Sequence, residues 1–173
     1  MRVDVVAARP EDVPILRRLM QLYLYELFTI AGWDIGADGL YGSARRTESF
    51  WTDGTHQSFL ITVDRKLAGF VIVGEHSHFF GPGTRQLSEF FVLRTYRRRG
   101  IGGQAATRVF DMFPGKWEVI QLGRNTEAQA FWRSVIGRYT GNRFEDIEQP
   151  DHEWAGRVQS FNSSGPRHGP PCH

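Results

Sequence analysis

The chain has 173 residues, a hydrophobic fraction of 40%, a charged fraction of 23% and a formal net charge of +2. These values are typical of one globular domain with a buried core, and so small a net charge gives no reason to expect a nucleic-acid partner. No apolar run approaches the roughly 20 residues that span a bilayer, so no membrane partner is expected. The only cysteine is Cys172, which rules out an internal disulfide, and the N-terminus lacks the apolar core of a secretory signal. The sequence therefore predicts a cytoplasmic protein.

The first half of the chain predicts a strand, a long helix and a hairpin. Residues 2–8 are β-branched and apolar, as in a strand, and apolar residues recur at helical spacing over residues 11–30. A loop rich in glycine and aspartate at 32–43 then precedes a short helix at about 44–51. Two apolar runs joined by a tight turn within residues 57–75 predict an antiparallel hairpin.

The second half alternates strands and helices. The pattern predicts a strand at 85–93, a helix at 101–113, a strand at 117–122, a helix at 126–136 closed by Gly137, and further strands within 138–147 and 156–161. Residues 163–173 are rich in Gly, Pro and Ser, which predicts a flexible tail after a single domain of residues 1–162. An antiparallel hairpin followed by alternating elements indicates an α/β fold with a mixed central sheet and helices on both faces.

Residues 87–106, LSEFFVLRTYRRRGIGGQAA, join an apolar strand to a helix through three arginines and a glycine-spaced turn. Such a junction combines free backbone N–H groups, a helix dipole and positive charge, which predicts a phosphate site. A P-loop needs a lysine followed by Ser or Thr, but Gly103-Gln104 stands there. The dinucleotide fingerprint G-x-G-x-x-A fits loosely, but it lies in the middle of the chain and Glu118 opens the next strand instead of closing it.

Two blocks of sequence resemble the GNAT superfamily of N-acetyltransferases. Residues 97–102, RRRGIG, directly follow an apolar strand and resemble the coenzyme A-binding segment of that family. Residues 125–132, NTEAQAFW, resemble its N-x-x-A-x-x-F-Y block, which follows the next strand and opens the next helix. The resemblance implies a GNAT-like fold with six to seven strands and transfer of an acetyl group from acetyl-CoA to a primary amine by direct attack. The alternative is a degenerate module that senses acyl-CoA without turnover.

The resemblance also implies which residues hold acetyl-CoA. The strand backbone would pair with the pantetheine arm, the arginine-glycine turn would cradle the pyrophosphate, and the downstream block would complete the site. The residues in these positions are Phe90, Phe91, Val92, Arg97, Arg98, Arg99, Gly100, Ile101, Gly102, Gly103, Asn125 and Trp132. No metal is predicted, because His76 and His78 have no third ligand at a suitable spacing, although either histidine could act as a base.

Glu89 is the predicted general base. Strand alternation is expected to place it on one face with Leu87, Phe91 and Leu93, where apolar neighbours would raise its pKa. The alternative is that Glu89 only forms a salt bridge with an arginine.

The general acid has several candidates in the sequence. Trp132 stands where many family members carry a tyrosine that protonates the leaving thiolate, and an indole cannot release its proton near neutral pH. Tyr139 and Tyr25 are the tyrosines predicted for this role, with a water or the proton of the incoming amine as alternatives.

The acceptor is expected to enter beside the first helix, the 32–43 loop and the 76–84 connection. Aromatic residues there, with an acidic lip formed by Asp34, Asp38 and Glu48, predict a small cationic or aromatic amine. The acceptor partner is thus a small-molecule or peptide amine, and a homodimer is left open.

Overall fold

The computed structural model describes residues 1–149 and 156–163, which form seven strands and four α-helices. In chain order these are β1 (Val3–Ala7), α1 (Val13–Ala31), α2 (Ala44–Thr52), β2 (His56–Val63), β3 (Lys66–Gly74), β4 (Thr84–Val92), α3 (Ile101–Met112), β5 (Gly115–Gln121), α4 (Thr126–Thr140), β6 (Phe144–Glu148) and β7 (Arg157–Ser163). The predicted α/β fold is confirmed.

The strands form one mixed sheet in the order β1-β2-β3-β4-β5-β7-β6, in which β4 and β5 are parallel and the other neighbours antiparallel. Helices α1 and α2 cover one face, and α3 and α4 cover the other. The first face buries Leu16, Leu19, Met20, Leu24 and Phe50 against Phe70, Ile72 and Phe91. The second buries Ile101, Ala105, Val109, Phe110, Val135 and Ile136 against Phe59, Ile61, Trp117 and Val119. Helices therefore lie on both faces, as predicted.

Strand β4 has two irregularities that shape the molecule. Its register with β3 pairs Ile72 with Glu89 and Val73 with Leu87, so Ser88 is the extra residue of a β-bulge. Within the described residues, β4 pairs with β5 only from Thr84 to Leu87. Beyond that point the two parallel strands diverge, and one backbone edge of β4 is left without a strand partner.

Because of the bulge, Leu87 lies on a different face of the sheet from the one predicted. Leu87 packs with Val92 in the core beneath α3, whereas Phe91 and Leu93 pack on the opposite face beneath α1. Glu89 lies on the α1 side, where it meets Tyr23. The expected sharing of a face by Glu89 and Leu87 is wrong, because an extra residue in a strand reverses the alternation of side chains.

Two predicted boundaries also change. Helix α4 continues through Gly137 to Thr140 and ends at Gly141, whose φ of 65° is the left-handed conformation that commonly closes a helix. Residues 138–140 are therefore helical, not part of a strand. Ser163 is buried in β7 opposite Gly115, so the domain extends past residue 162. The rest of the predicted tail lies outside the described residues.

None of the helices in the described residues combines the length and the apolar character that crossing a membrane requires.

Candidate active site

A cleft of about 700 Å³ opens where β4 and β5 diverge. Residues of α1, α2, β2 and the 32–43 loop form one side, called here the α1–α2 wall. Residues of β4, β5 and the first turns of α4 form the other, the β4–α4 wall. The α1–α2 wall includes Tyr23, Leu24, Leu27, Phe28, Arg46, Phe50 and His56; the β4–α4 wall includes Ser88, Phe90, Val119, Gln121, Asn125, Ala128 and Trp132. The cleft brings together four of the predicted site residues, namely Glu89, Phe90, Asn125 and Trp132.

Glu89 projects from β4 toward the α1–α2 wall and lines the cleft. Burial raises its pKa to about 7, while hydrogen bonding from the Tyr23 hydroxyl and the positive charge of Arg46 act in the opposite direction. No arginine of the described residues lies within 4.0 Å of its carboxylate, so Glu89 is not held in an ion pair. A carboxyl group with a pKa near neutrality can both accept and release a proton.

Tyr23 is the tyrosine that the α1–α2 wall brings to Glu89. Burial, followed by the charge of Glu89, raises its pKa well above the ordinary value, which keeps the phenol protonated as a hydrogen-bond donor. Its ring packs against Phe91 at 5.8 Å and against Phe70 at 6.0 Å, which fixes its position. The only signal for this role in the sequence is the helical spacing that places Tyr23 on the apolar face of α1.

The two predicted catalytic tyrosines lie elsewhere. Tyr25 is 54% exposed and packs edge-on against Tyr41 at 5.5 Å. Tyr139, near the end of α4, donates to Asp111 Oδ1 at 2.8 Å and lies 2.9 Å from Ser163 Oγ. Neither residue lines the cleft that contains Glu89.

A second glutamate, Glu118 on β5, organises the loop that follows β3. It is fully buried, and its two carboxylate oxygens accept four hydrogen bonds. The donors are Ser77 Oγ at 2.6 Å, the backbone N–H of His78 at 2.9 Å, the backbone N–H of Phe79 at 2.8 Å and Gln86 Nε2 at 3.2 Å. The loop is thereby fastened so that His78 lines the cleft, whereas His76 is not among the lining residues.

His56 is a lining residue that the sequence did not indicate. Its Nδ1 atom lies 3.1 Å from Asp53 Oδ1 and 3.0 Å from Thr55 Oγ1, and its ring packs edge-on against Phe50 at 5.0 Å. These contacts fix the ring at the N-terminal end of β2, beside the cleft.

The start of α3 has the features of an anion site. Gly100 precedes the helix as its N-cap with a φ of 75°, and no side chain in the described part of the chain caps the first turn. The backbone N–H groups of that turn are therefore free of intrahelical partners and point out of the helix. A Cβ atom at Gly102 would lie 3.1 Å from the ring of Phe131, so glycine here lets α3 approach α4 closely.

The three consecutive arginines have different environments. Arg97 Nε donates to the Val92 carbonyl at 2.7 Å, and the NH1 atom of Arg97 lies 2.8 Å from the Glu26 carboxylate. Arg97 therefore stabilises the end of β4. Arg98 reaches Glu127 at 3.1 Å with a largely exposed side chain, and Arg99 extends along the surface to Met1. Of the three, Arg98 and Arg99 thus present exposed guanidinium groups beside the start of α3.

The β4–α4 wall contains the downstream block of the resemblance. The Asn125 side chain accepts from the Ala128 backbone N–H at 3.1 Å and so caps α4. Two turns later, Trp132 packs edge-on against Phe90 at 5.0 Å. Gln121 donates to Gln159 at 2.7 Å, while its own Oε1 atom is buried without a partner in the described residues. The unpaired backbone edge of β4 on this wall suits a ligand that carries amide groups.

Within the described part of the chain, no three His, Cys, Asp or Glu side chains are grouped closely enough to hold a metal ion.

The sequence model described as acetyltransferase (GNAT) family matches residues 19–137, which is more than half of the chain. The chain belongs to this family. The match includes Tyr23 and Glu89 as well as both blocks of the resemblance, so the predicted family is confirmed. No curated protein matches the chain in sequence.

Solved structures of GNAT proteins share the fold. An acetyltransferase from Thermus thermophilus superposes with a TM-score of 0.67 at 16% identity, covering 94% of this chain and 97% of that one. A GNAT-family acetyltransferase from Staphylococcus aureus has a TM-score of 0.61 at 13% identity, covering 94% and 100%. The ribosomal-protein-S18-alanine N-acetyltransferase from Escherichia coli has a TM-score of 0.57 at 14% identity, covering 99% of each chain. At these identities the likeness establishes the fold, and GNAT membership indicates an acyltransferase.

Proposed function

We propose that the protein is an N-acetyltransferase that uses acetyl-CoA to acetylate a primary amine by direct attack. The observation that carries the proposal is the divergence of β4 from β5 after Leu87, with the Ser88 bulge and Glu89 at the point of separation. In a chain of the GNAT family, this opening is the place where a thioester and an amine can meet.

The residues present fit acetyl-CoA. The free edge of β4 at Phe90 offers backbone hydrogen bonds to the amides of a pantetheine arm, whereas the Phe91 carbonyl faces β3. The uncapped start of α3, with Arg98 and Arg99 exposed nearby, suits a pyrophosphate. The Val92 carbonyl already accepts from Arg97, so Val92 contributes less of this edge than the sequence suggested.

Glu89 is the proposed proton acceptor. When bound, acetyl-CoA supplies a thioester carbonyl that a neutral amine can attack. Beside the Tyr23 hydroxyl, the carboxylate of Glu89 would take the proton that the attacking amine loses. It would return this proton, directly or through solvent, to the thiolate released when the thioester C–S bond breaks. Positioning of the two reactants in the cleft supplies much of the remaining acceleration. Tyr23 replaces Tyr25 and Tyr139 as the phenol nearest to this chemistry.

The test is thiol release by the purified protein, with acetyl-CoA and a panel of primary amines that includes small molecules and peptide N-termini. The proposal requires amine-dependent release of free coenzyme A, and an acetylated amine detected by mass spectrometry. A protein that binds acetyl-CoA and releases no thiol with any amine would instead be a degenerate sensor. The substitution of the family's tyrosine by Trp132 is the observation that favours that second candidate. A cytoplasmic location remains a prediction.

A further inference from the structure

The charges that line the acceptor side of the cleft differ from those that the sequence suggested. Among the described residues, the ionisable lining side chains besides Tyr23 are Arg46, His56, His78 and Glu89. The expected acidic lip is absent from this set. Both oxygens of Glu48 bind Arg17 at 2.7 Å, and Asp38 accepts from the Leu40 backbone N–H within its own loop. Among the described lining residues the cleft therefore contains one carboxylate, and its fixed charge is positive.

Arg46 is the fixed charge. It projects from α2 into the lining of the cleft and is exposed there. No carboxylate of the described residues lies within 4.0 Å of its guanidinium group, in contrast to Arg17 on the same side of the molecule. Its charge nevertheless acts on both Glu89 and Tyr23, so it lies near the proposed proton acceptor without neutralising it.

We propose that Arg46 binds a carboxylate of the acceptor, and that the acceptor is an apolar α-amino acid or a similar amine bearing a carboxylate. The inference rests on the proposed acetyl transfer and names its substrate class. An α-amino acid carries its ammonium and carboxylate groups on one carbon, so the nitrogen can lie at Glu89 while the carboxylate lies at Arg46. A guanidinium group binds a carboxylate through two parallel hydrogen bonds.

The rest of the α1–α2 wall suits the apolar part of such an acceptor. Beside Arg46 and Glu89 the cleft is lined by Leu24, Leu27, Phe28, Trp33 and Phe50. A polycationic amine would meet Arg46, with Glu89 as its one acidic partner among the described lining residues. The charge balance therefore disfavours the cationic acceptor that the sequence suggested and retains the apolar or aromatic one.

The experiment compares matched acceptors that differ only in the carboxylate: L-phenylalanine with phenethylamine, and L-leucine with 3-methylbutylamine. Thiol release gives kcat and KM for each in wild type, Arg46→Gln, Arg46→Lys and the control Arg45→Gln, whose side chain does not line the cleft. We expect Arg46→Gln to raise KM for the amino acids by about tenfold or more and to change KM for the decarboxylated amines much less. Arg46→Lys should restore part of the loss, and Arg45→Gln should behave as wild type.

A binding measurement separates this inference from the proposed function. Titration of N-acetyl-L-phenylalanine and of N-acetylphenethylamine needs no turnover, and we expect wild type to prefer the first and Arg46→Gln to lose that preference. Equal binding of the two ligands by wild type, or an unchanged preference in Arg46→Gln, overturns the role of Arg46. If no amine supports thiol release, the proposed transfer is overturned, while the binding preference still decides what Arg46 recognises.

Discussion

The two walls of the cleft are built from different parts of the protein. The β4–α4 wall, with the start of α3 beside it, offers mainly backbone groups: the unpaired edge of β4 and the uncapped first turn of a helix. The α1–α2 wall offers side chains, and the groups that meet there come from α1, α2, β2 and β4. Backbone groups can hold a cofactor shared by a whole family, whereas side chains drawn from separate elements can differ with each acceptor.

The glutamates of two neighbouring strands, Glu118 on β5 and Glu89 on β4, also have contrasting surroundings, and of the two only Glu89 lines the cleft. Glu118 is fully buried and accepts four hydrogen bonds from one loop and the neighbouring strand. Glu89 faces the cleft beside Tyr23, and burial raises its pKa to about 7. A carboxylate satisfied by many donors has a structural role, while one with few donors near neutrality is available for proton transfer.

The largest effect on stability is expected for Glu118→Gln. The amide would turn an N–H group toward backbone N–H donors and lose charge-assisted hydrogen bonds, so the free energy of unfolding should fall by about 3 kcal/mol. Chemical denaturation measures the change, and Glu145→Gln on the exposed side of β6 is the control. A Glu118→Gln protein as stable as that control would show that the loop is held by other contacts.

Glu89→Gln should lower kcat by about 100-fold while leaving acetyl-CoA affinity unchanged. In wild type, kcat/KM should show an increase around pH 7 as the carboxyl group ionises. The variant should lack this step and keep only the rise at higher pH that comes from deprotonation of the amine. Steady-state rates measured from mildly acidic to mildly alkaline pH give both results. Retention of the wild-type kcat and pH profile in Glu89→Gln would exclude Glu89 as the proton acceptor.

The same group links stability to pH. Between its ordinary pKa of 4.5 and about 7, the native protein keeps a proton that the unfolded chain releases. The free energy of unfolding of wild type should therefore decrease as pH rises through this window, by about 1–3 kcal/mol relative to Glu89→Gln. Chemical denaturation of both proteins at about pH 5 and about pH 8 measures this change in the free energy of unfolding, independently of the effect of Glu89 on the reaction rate.

A smaller effect is expected at Asn125, where two roles can be separated. Asn125→Ala removes the cap of α4 and should lower the free energy of unfolding by about 1 kcal/mol. Asn125→Asp keeps an oxygen that can accept from Ala128 and loses the amide donor, so it should preserve stability and weaken acetyl-CoA binding. Equal acetyl-CoA affinity in Asn125→Asp and wild type would limit Asn125 to capping.

The smallest effect is expected for Trp132→Phe. Phenylalanine retains the aromatic contact with Phe90, and the lost indole N–H cannot act as an acid near neutral pH, so kcat should change by less than about threefold. Thiol-release assays measure this directly. A much larger loss would mean that the indole N–H donates an essential hydrogen bond at the reacting centre.

The difference between the walls also explains what the sequence could predict. The strand, turn and helix of residues 87–106 are neighbours in the chain, so the local pattern was enough to predict that α3 starts near Gly100. The resemblance of the two sequence blocks was enough to predict the family. The bulge at Ser88 was not predictable, because an extra residue depends on the pairing of β4 with β3. That single feature moved Leu87 away from the face of Glu89.

The approach of side chains from separate helices and strands was the second feature that the sequence could not predict. Tyr23 and Arg46 approach Glu89 because α1 and α2 pack on the same face of the sheet as Glu89. The three residues lie far apart in the chain, so no local sequence pattern indicates that they meet. Arg97 was predicted as a cofactor ligand from its position in a motif, yet its contacts are with Glu26 and the Val92 carbonyl. The partners of long charged side chains are set by tertiary packing, which a motif does not encode.

The most direct test of the account is isothermal titration of acetyl-CoA into wild type, Gly102→Glu and Gly103→Ala. Gly102→Glu places a side chain against Phe131 and a negative charge at the start of α3, whereas a methyl group at Gly103 meets Val135 at an ordinary 3.7 Å. We predict one acetyl-CoA bound per chain in wild type and Gly103→Ala, and no binding in a folded Gly102→Glu protein. Wild type that fails to bind acetyl-CoA, or Gly102→Glu that binds it with wild-type affinity, would contradict the account.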